Sequence, residues 1–301
     1  MQVAGLHKSY GQLEAVRGID LRVHRNEVFA LLGPNGAGKT TTVEILEGHR
    51  SRTSGDVSVL GYDPGKNDRK LKERIGIVLQ STGVERYLTV FETVDLFSKY
   101  YPHPLPVGDV IQMVGLGDQR KTLVRRLSGG QRRRLDVAVG LVGDPELLFL
   151  DEPTTGFDPS ARRGAWEIVR NLRSLGKTVL LTTHYMDEAE ALADRVAIMV
   201  KGRIVTEGVP SELTQRKGRT IIRFRIDGEN VGLPEGLQLD QEVVNGAYSL
   251  TTDSPTHVLH LLTTWAVEKG IELEDLAVTR PSLEDVFVEL TGAGPMEGEG
   301  M

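Results

Sequence analysis

The stretch Gly33-Pro34-Asn35-Gly36-Ala37-Gly38-Lys39-Thr40 satisfies Gly-x-x-x-x-Gly-Lys-Thr, and it confines the chain to a narrow set of folds. Its glycines let backbone N–H groups turn inward around phosphate oxygens, and the helix that must follow adds partial positive charge at its start. Such a loop requires a strand before it and a helix after it. Val28 to Leu32 is a short apolar run suited to a buried strand, Thr41 to Leu46 reads as helix, and Gly48 reads as its stop. In that setting Lys39 is expected to hold the β- and γ-phosphates of a nucleotide and Thr40 to offer its hydroxyl to Mg2+, with Thr41 in the same binding set. Gly176-Lys177-Thr178 imitates the end of the motif, but Asn171 stands where the leading glycine is needed, so the chain carries one such loop.

Residues on either side of the loop read as a largely parallel sheet covered by helices. The first 25 residues alternate apolar and polar, as in Ile19-Asp20-Leu21-Arg22-Val23, and predict antiparallel strands with one buried face. Further apolar runs recur at Ile75 to Leu79, Leu147 to Leu150, Val179 to Leu181 and Val196 to Val200, several followed by helical stretches such as Ala161 to Leu175 and Asp187 to Ala193. Between Gln80 and Ser128 the pattern is helical (Val90 to Tyr100, Val107 to Val114), broken at Pro102, Pro104 and Pro106, and predicts a helical insert over about 81–142. Past a basic hinge, Arg216 to Arg219, a second α+β pattern begins. Strand-like Ile221 to Ile226, Tyr248 to Thr252 and Leu273 to Val278 and helix-like Thr256 to Glu268 and Ser282 to Leu290 predict a small domain over 219–290, separate from a first domain over 1–215. The Gly- and Glu-rich tail over 291–301 is expected to be disordered.

Composition removes several classes of function. The 36 Lys plus Arg against 42 Asp plus Glu leave a net charge of −6, which argues against a surface built to hold nucleic acid. The longest apolar runs are five residues, where a spanning helix needs about 20, so no segment is expected to cross a membrane by itself. Zero cysteines exclude a disulfide, a thiolate zinc site and a cysteine nucleophile.

Two further motifs add chemistry. Leu147-Leu148-Phe149-Leu150-Asp151-Glu152 is a buried-strand run ending in two carboxylates. Asp151 is placed to serve the metal beside the phosphate loop, and Glu152, directly after it, to polarise an attacking water as general base. Leu127-Ser128-Gly129-Gly130-Gln131 opens a helix that runs to about Val142, with Ser128 as its cap and two glycines leaving N–H groups accessible. This is a second anion-binding helix start, and one nucleotide per phosphate loop makes it redundant unless two chains meet.

At this point the sequence resembles the nucleotide-binding subunits of ATP-binding cassette (ABC) transporters over about Met1 to Leu213. Gly33 to Thr40 is similar to the Walker A motif, Leu127 to Gln131 to the signature motif, and Leu147 to Glu152 to the Walker B motif. The resemblance implies a P-loop NTPase cassette of α/β class, a mixed sheet with an antiparallel β subdomain and a helical subdomain. It implies ATP and Mg2+ as ligands, and a head-to-tail homodimer in which the signature of one subunit meets the γ-phosphate held by the other. Carried onto matching positions, it implies that Gln80 contacts Mg2+ and water, that His184 contacts the γ-phosphate, that Asp158 links the two sites, and that Tyr10 stacks on adenine. Phe157 stands where leucine is usual before that aspartate; Glu152 and His184 are both intact.

The stretches Arg132-Arg133-Arg134-Leu135-Asp136, Thr183-His184-Tyr185-Met186-Asp187-Glu188-Ala189 and Pro281-Ser282-Leu283-Glu284-Asp285-Val286-Phe287 resemble the daunorubicin-resistance-type branch of bacterial type-2 exporters. That resemblance implies an ATPase that powers a separate membrane permease for a drug, antibiotic or lipid, held on the cytoplasmic face of the cell membrane. Its docking surface is expected in Tyr87 to Phe97. The arginines between Arg125 and Arg134 read as a solvated helix face with a positive field for anionic nucleotide, and no nucleic-acid partner is expected. ABC ATPases acting on ribosomes or DNA are the alternative, but they usually carry two cassettes, long coiled-coil arms or zinc inserts. The 219–290 segment carries no recognised chemical motif; bracing the dimer or controlling docking are its expected roles.

Overall fold

The computed structural model describes residues 1–78, 83–157, 159–215, 220–226, 233–234, 237, 247–279 and 281–291. The chain divides into two compact units, Met1–Pro210 and Ser211–Met301.

In the first unit the elements run β1 (Gln2–Tyr10), β2 (Leu13–Arg22), β3 (Val28–Leu32), α1 (Lys39–Glu47), β4 (Ser54–Ser58), α2 (Arg69–Lys72), β5 (Ile75–Val78), α3 (Val90–Ser98), α4 (Val107–Met113), α5 (Gly129–Leu141), β6 (Leu147–Asp151), α6 (Pro159–Ser174), α7 (Met186–Leu192 after β7, Thr178–Thr183), β8 (Arg195–Val200) and β9 (Arg203–Gly208). They form two sheets. β2-β1-β4 is antiparallel throughout, as the alternation in the first 25 residues predicts. The larger sheet has the order β5-β6-β7-β3-β8-β9, its first five strands parallel and β9 antiparallel on β8. The sheet is therefore mixed. β4 and β9 carry no strand signal in the sequence, since Ser-Gly-Asp-Val-Ser and Arg-Ile-Val-Thr-Glu-Gly are mostly polar and half-exposed.

One core joins the two sheets. Leu6, Val16 and Ile19 of the antiparallel sheet pack with Phe29 and Leu31 of β3, Phe149 of β6 and Val43 and Leu46 of α1. β3, β6 and β7 are buried along nearly their whole length, and apolar side chains fill both faces except at the strand ends, where Thr178, Thr182, Thr183 and Asp151 stand. Each such Phe or Leu contributes about 1.5–3 kcal/mol by leaving water. This packing fixes the carboxyl ends of β3, β6 and β7 side by side, where ligands of parallel sheets bind.

The insert is helical as predicted, with α3, α4 and α5 packed on one another and α5 laid across β5. Two of its helices start with reciprocal caps. Thr89 Oγ1 accepts from Glu92 N at 3.2 Å while Glu92 accepts from Thr89 N at 2.8 Å. Ser128 and Gln131 do the same at 3.2 and 3.0 Å, each cap worth about 1 kcal/mol.

The second unit holds most of the short helix α8 (Pro210–Gln215), then β10 (Thr220–Arg225), β11 (Ala247–Thr252), α9 (Pro255–Lys269), β12 (Glu274–Thr279) and α10 (Leu283–Thr291). Its sheet is antiparallel with β10 central. Ile222, Phe224, Tyr248 and Leu250 pack against Leu262 and Trp265 of α9, with the Phe224 and Tyr248 rings stacked at 5.1 Å. The expected hinge at Arg216 to Arg219 and the expected disorder of Gly292 to Met301 lie outside the described residues.

Candidate functional site

The phosphate loop is shaped by contacts that leave no room for a side chain at two of its glycines. A Cβ on Gly33 would lie 2.2 Å from Met199 O, and one on Gly38, which sits at φ +104, would lie 2.5 Å from Ala15 O. Ala37 N donates to Pro34 O and Gly202 N donates to Ala37 O, so the β8–β9 turn holds the loop from behind. Gly38 caps α1 without any side-chain acceptor, which leaves the first N–H groups of the helix available to an anion. Thr40 is exposed beside them.

Lys39 is buried and turned back on its own loop. Its Nζ donates to Gly33 O at 2.7 Å and Pro34 O at 3.2 Å, and lies 3.7 Å from Glu152 Oε1. Burial lowers its pKa, opposed by the charges of Glu152 and Asp151. An arriving phosphate would offer this ammonium stronger acceptors than two carbonyls.

β6 ends in the acid pair. Asp151 Oδ1 accepts from Thr182 Oγ1 at 2.5 Å. Glu152 adopts φ +44, in the left-handed region, and its N donates to both Thr182 O and Thr182 Oγ1, at 3.2 and 3.0 Å. Glu152 Oε1 faces His184 Nδ1 at 3.3 Å and Oε2 accepts from Thr155 Oγ1 at 3.1 Å. The His184 hydrogen bond, followed by the charges of His184 and Lys39 and the Thr155 bond, outweighs burial and holds the Glu152 carboxyl at about 2. Lys39, Asp151, Glu152 and His184 thus share one cluster at the ends of β6 and β7.

Ser128 caps α5 as expected, and its oxygen accepts from Gln131 N. No hydrogen bond among the described residues joins Ser128 to Gln131, or Tyr10, to the cluster around Glu152. Tyr10 ends β1 with its ring 38% exposed, 4.9 Å from Lys8 Nζ and 5.4 Å from the Arg50 guanidinium carbon. Gln80 and Asp158 lie outside the described residues.

The sequence missed three contributors and misread one. Thr182, Thr155 and Thr154 all lie in or beside the acid pair's surroundings; Thr154 Oγ1 donates to the buried Glu188 at 2.9 Å. Arg133 is a correction to the reading of its segment as a solvated face. It is 7% exposed, and its guanidinium donates to Asp151 O at 3.0 Å and Pro153 O at 3.2 Å, tying α5 to the acid pair's backbone. Arg133, Val137 and Leu141 recur every four residues on the buried face of α5, a periodicity that could have shown it.

Residues 16–155 match the ABC transporter family, and residues 220–282 match the C-terminal domain of ABC transporter domain-containing protein-like sequences. The daunorubicin resistance ATP-binding protein DrrA3 of Streptomyces coeruleorubidus is 38% identical over 96% of this chain and 95% of its own length. The linearmycin resistance ATP-binding protein LnrL of Bacillus subtilis is 35% identical over 97% of this chain and 98% of its own. Among solved structures, cbiO1 from Clostridium perfringens, part of the ABC transporter complex cbiONQ, superposes with a TM-score of 0.63 at 30% identity, covering 72% of this chain and 90% of that one. Full-length similarity at this level, together with the phosphate loop and acid pair described above, shows that the chain belongs to the ABC transporter family, among its ATP-hydrolysing ATP-binding subunits of the daunorubicin-resistance type.

Proposed function

We propose that this subunit binds MgATP on the Gly33–Thr41 loop, pairs head-to-tail with a second copy, and powers a separate membrane permease that exports a drug, antibiotic or lipid. The observation that carries the catalytic part is the Glu152 carboxylate, ionised and gripped through one oxygen by both His184 and Lys39. A carboxyl held at about 2 is a poor base. When Lys39 and His184 turn to the γ-phosphate, the two groups that depress Glu152 are drawn off it, and its basicity rises as substrate is seated. Glu152 is then the general base toward water, and Lys39 and His184 stabilise charge on the transferred phosphoryl group.

The donor set fits Mg2+. Thr40 and Asp151 supply hard oxygens, and no cluster of three or more acidic or imidazole groups able to hold an ion alone occurs among the described residues. That matches an ion carried chiefly by phosphates and water. In this reading Gln80 adds a further contact to the ion, Asp158 links the two sites of the dimer, and Tyr10 takes the adenine. Ser128, Gly129, Gly130 and Gln131 serve the nucleotide of the opposite copy, which gives the second anion-binding helix its use. No described helix is long and apolar enough to cross a membrane. In this reading the pathway belongs to a separate permease, and the subunit works at the membrane's cytoplasmic face. Docking is assigned to Tyr87 to Phe97, where Tyr87 is 70% and Leu96 46% exposed. The drug- and antibiotic-resistance names of the relatives support export of such compounds.

Light scattering on Glu152→Gln with and without ATP, beside wild-type ATPase assays, tests this reading. The expected result is an ATP-dependent shift from monomer to dimer and a turnover lowered by about 10² to 10⁴ with ATP affinity retained. Unchanged turnover would remove Glu152 as base, and a monomer despite bound ATP would remove the two-copy site.

A further inference from the structure

We propose that Thr182 is a positioning residue for hydrolysis, its single hydroxyl fixing the Asp151 carboxylate and the Glu152 backbone relative to each other. The proposal rests on the catalytic reading of Glu152 given above. β7 carries three threonines with separate tasks. Thr178 Oγ1 accepts from Asn26 N at 3.0 Å, and Thr183 Oγ1 accepts from Tyr185 N at 3.0 Å. Thr182, paired in register with Asp151, is fully buried and lies between the two acids.

A hydroxyl has one proton and two lone pairs. An ionised carboxylate only accepts, so the Thr182 proton goes to Asp151 Oδ1 at 2.5 Å, and a lone pair remains for Glu152 N at 3.0 Å. Both contacts are used in opposite senses by one atom. Valine at 182 keeps the branched shape of threonine and removes only the hydroxyl, so the loss it causes reads out the two bonds that the hydroxyl makes. The hydroxyl serves the acids.

Glu152 needs that service. A non-glycine residue at φ +44 is strained and persists only where its surroundings over-determine it. The paired bonds from Glu152 N to Thr182 O and Oγ1 hold the turn, and the turn directs the carboxylate to His184 and Thr155. Losing the hydroxyl frees one Asp151 oxygen and loosens the backbone that carries the base.

Thr182→Val and Thr182→Ser, measured together, test this. For Val, kcat should fall about 10- to 100-fold, the cost of roughly an ångström of misplacement, with the KM for ATP within about threefold of wild type. Ser, which keeps the hydroxyl, should restore kcat to within about threefold. A second readout needs no turnover: ATP affinity by fluorescence titration with EDTA and with Mg2+. The affinity gained on adding Mg2+ should shrink in Val and persist in Ser, while binding in EDTA stays unchanged in both. Wild-type kcat and an undiminished Mg2+ gain in Val would overturn the proposal, as would equal impairment of Val and Ser. Should Val fail to fold, Thr182→Ala against Thr182→Ser reads the same hydroxyl. Glu152→Gln is assayed alongside; if it turns over normally the general-base reading fails, and Thr182 then stands or falls on the Mg2+ gain.

Discussion

Two glutamates near the phosphate loop are pushed in opposite directions by what touches them. Glu152 is held at about 2 by its His184 hydrogen bond and nearby positive charge. Glu47, at the end of α1, is pushed up to about 8 by burial, helped by the charges of Asp151 and Glu44, with His49 Nδ1 at 3.2 Å as its partner. Between the ordinary value of 4.5 and about 8, the unfolded chain releases a proton that folded Glu47 keeps. Stability therefore falls as pH rises across that window. Glu47→Gln removes the titration, so its thermal midpoint should gain on wild type from pH 5 to pH 8. An offset equal at both pH values would show that Glu47 is not held protonated. The residue scale also marks the limit of reading a sequence. That Lys39, Asp151, Glu152 and His184 gather in one place was legible, because motif and order put them at neighbouring strand ends. Thr182 was not, because a threonine inside an apolar strand gives no sign of which acid lies across the sheet. Arg133 was legible only through its four-residue spacing to Val137 and Leu141, which the run of arginines around it masks.

Among elements, the loop between β3 and α1 is the most constrained. Gly36 has φ +77 with open space where a Cβ would stand, whereas Gly38 has φ +104 and meets Ala15 O and the Met199 side chain. Gly36→Ala should cost about 1–2 kcal/mol of backbone strain. Gly38→Ala should cost more, because steric overlap with a backbone carbonyl adds to that strain. Urea denaturation of the pair would show it, and an equal loss would mean that the loop moves to accommodate the methyl. Strands β3, β6, β7 and β8 were visible as apolar runs because burial on both faces demands them. β9 was hidden since an edge strand buries little, and the order β5-β6-β7-β3-β8-β9 was hidden because no local pattern encodes which strand neighbours which.

At the scale of the molecule, a change in pattern near residue 215 announced two bodies, and contacts separate Met1–Pro210 from Ser211–Met301. Every described candidate site residue lies in the first. A chain ending at Gln215 should therefore bind ATP with an affinity within about threefold of the full chain, less than 1.4 kcal/mol. Loss of binding would place a nucleotide determinant beyond Gln215. Any effect of the truncation on dimerisation or permease assembly would then locate the second body's work there.

The burial of β3, β6 and β7 has a consequence for time as well as for energy. Amides in strands covered on both faces exchange with solvent only when the whole body opens. The backbone that carries Asp151 and Thr182 is thus held in place for as long as the protein is folded. Lys39, Glu152 and His184 meet through their side chains, which exchange partners on a far shorter timescale than such a frame opens. Hydrogen exchange should accordingly be slowest in these three strands, the frame on which the site is hung.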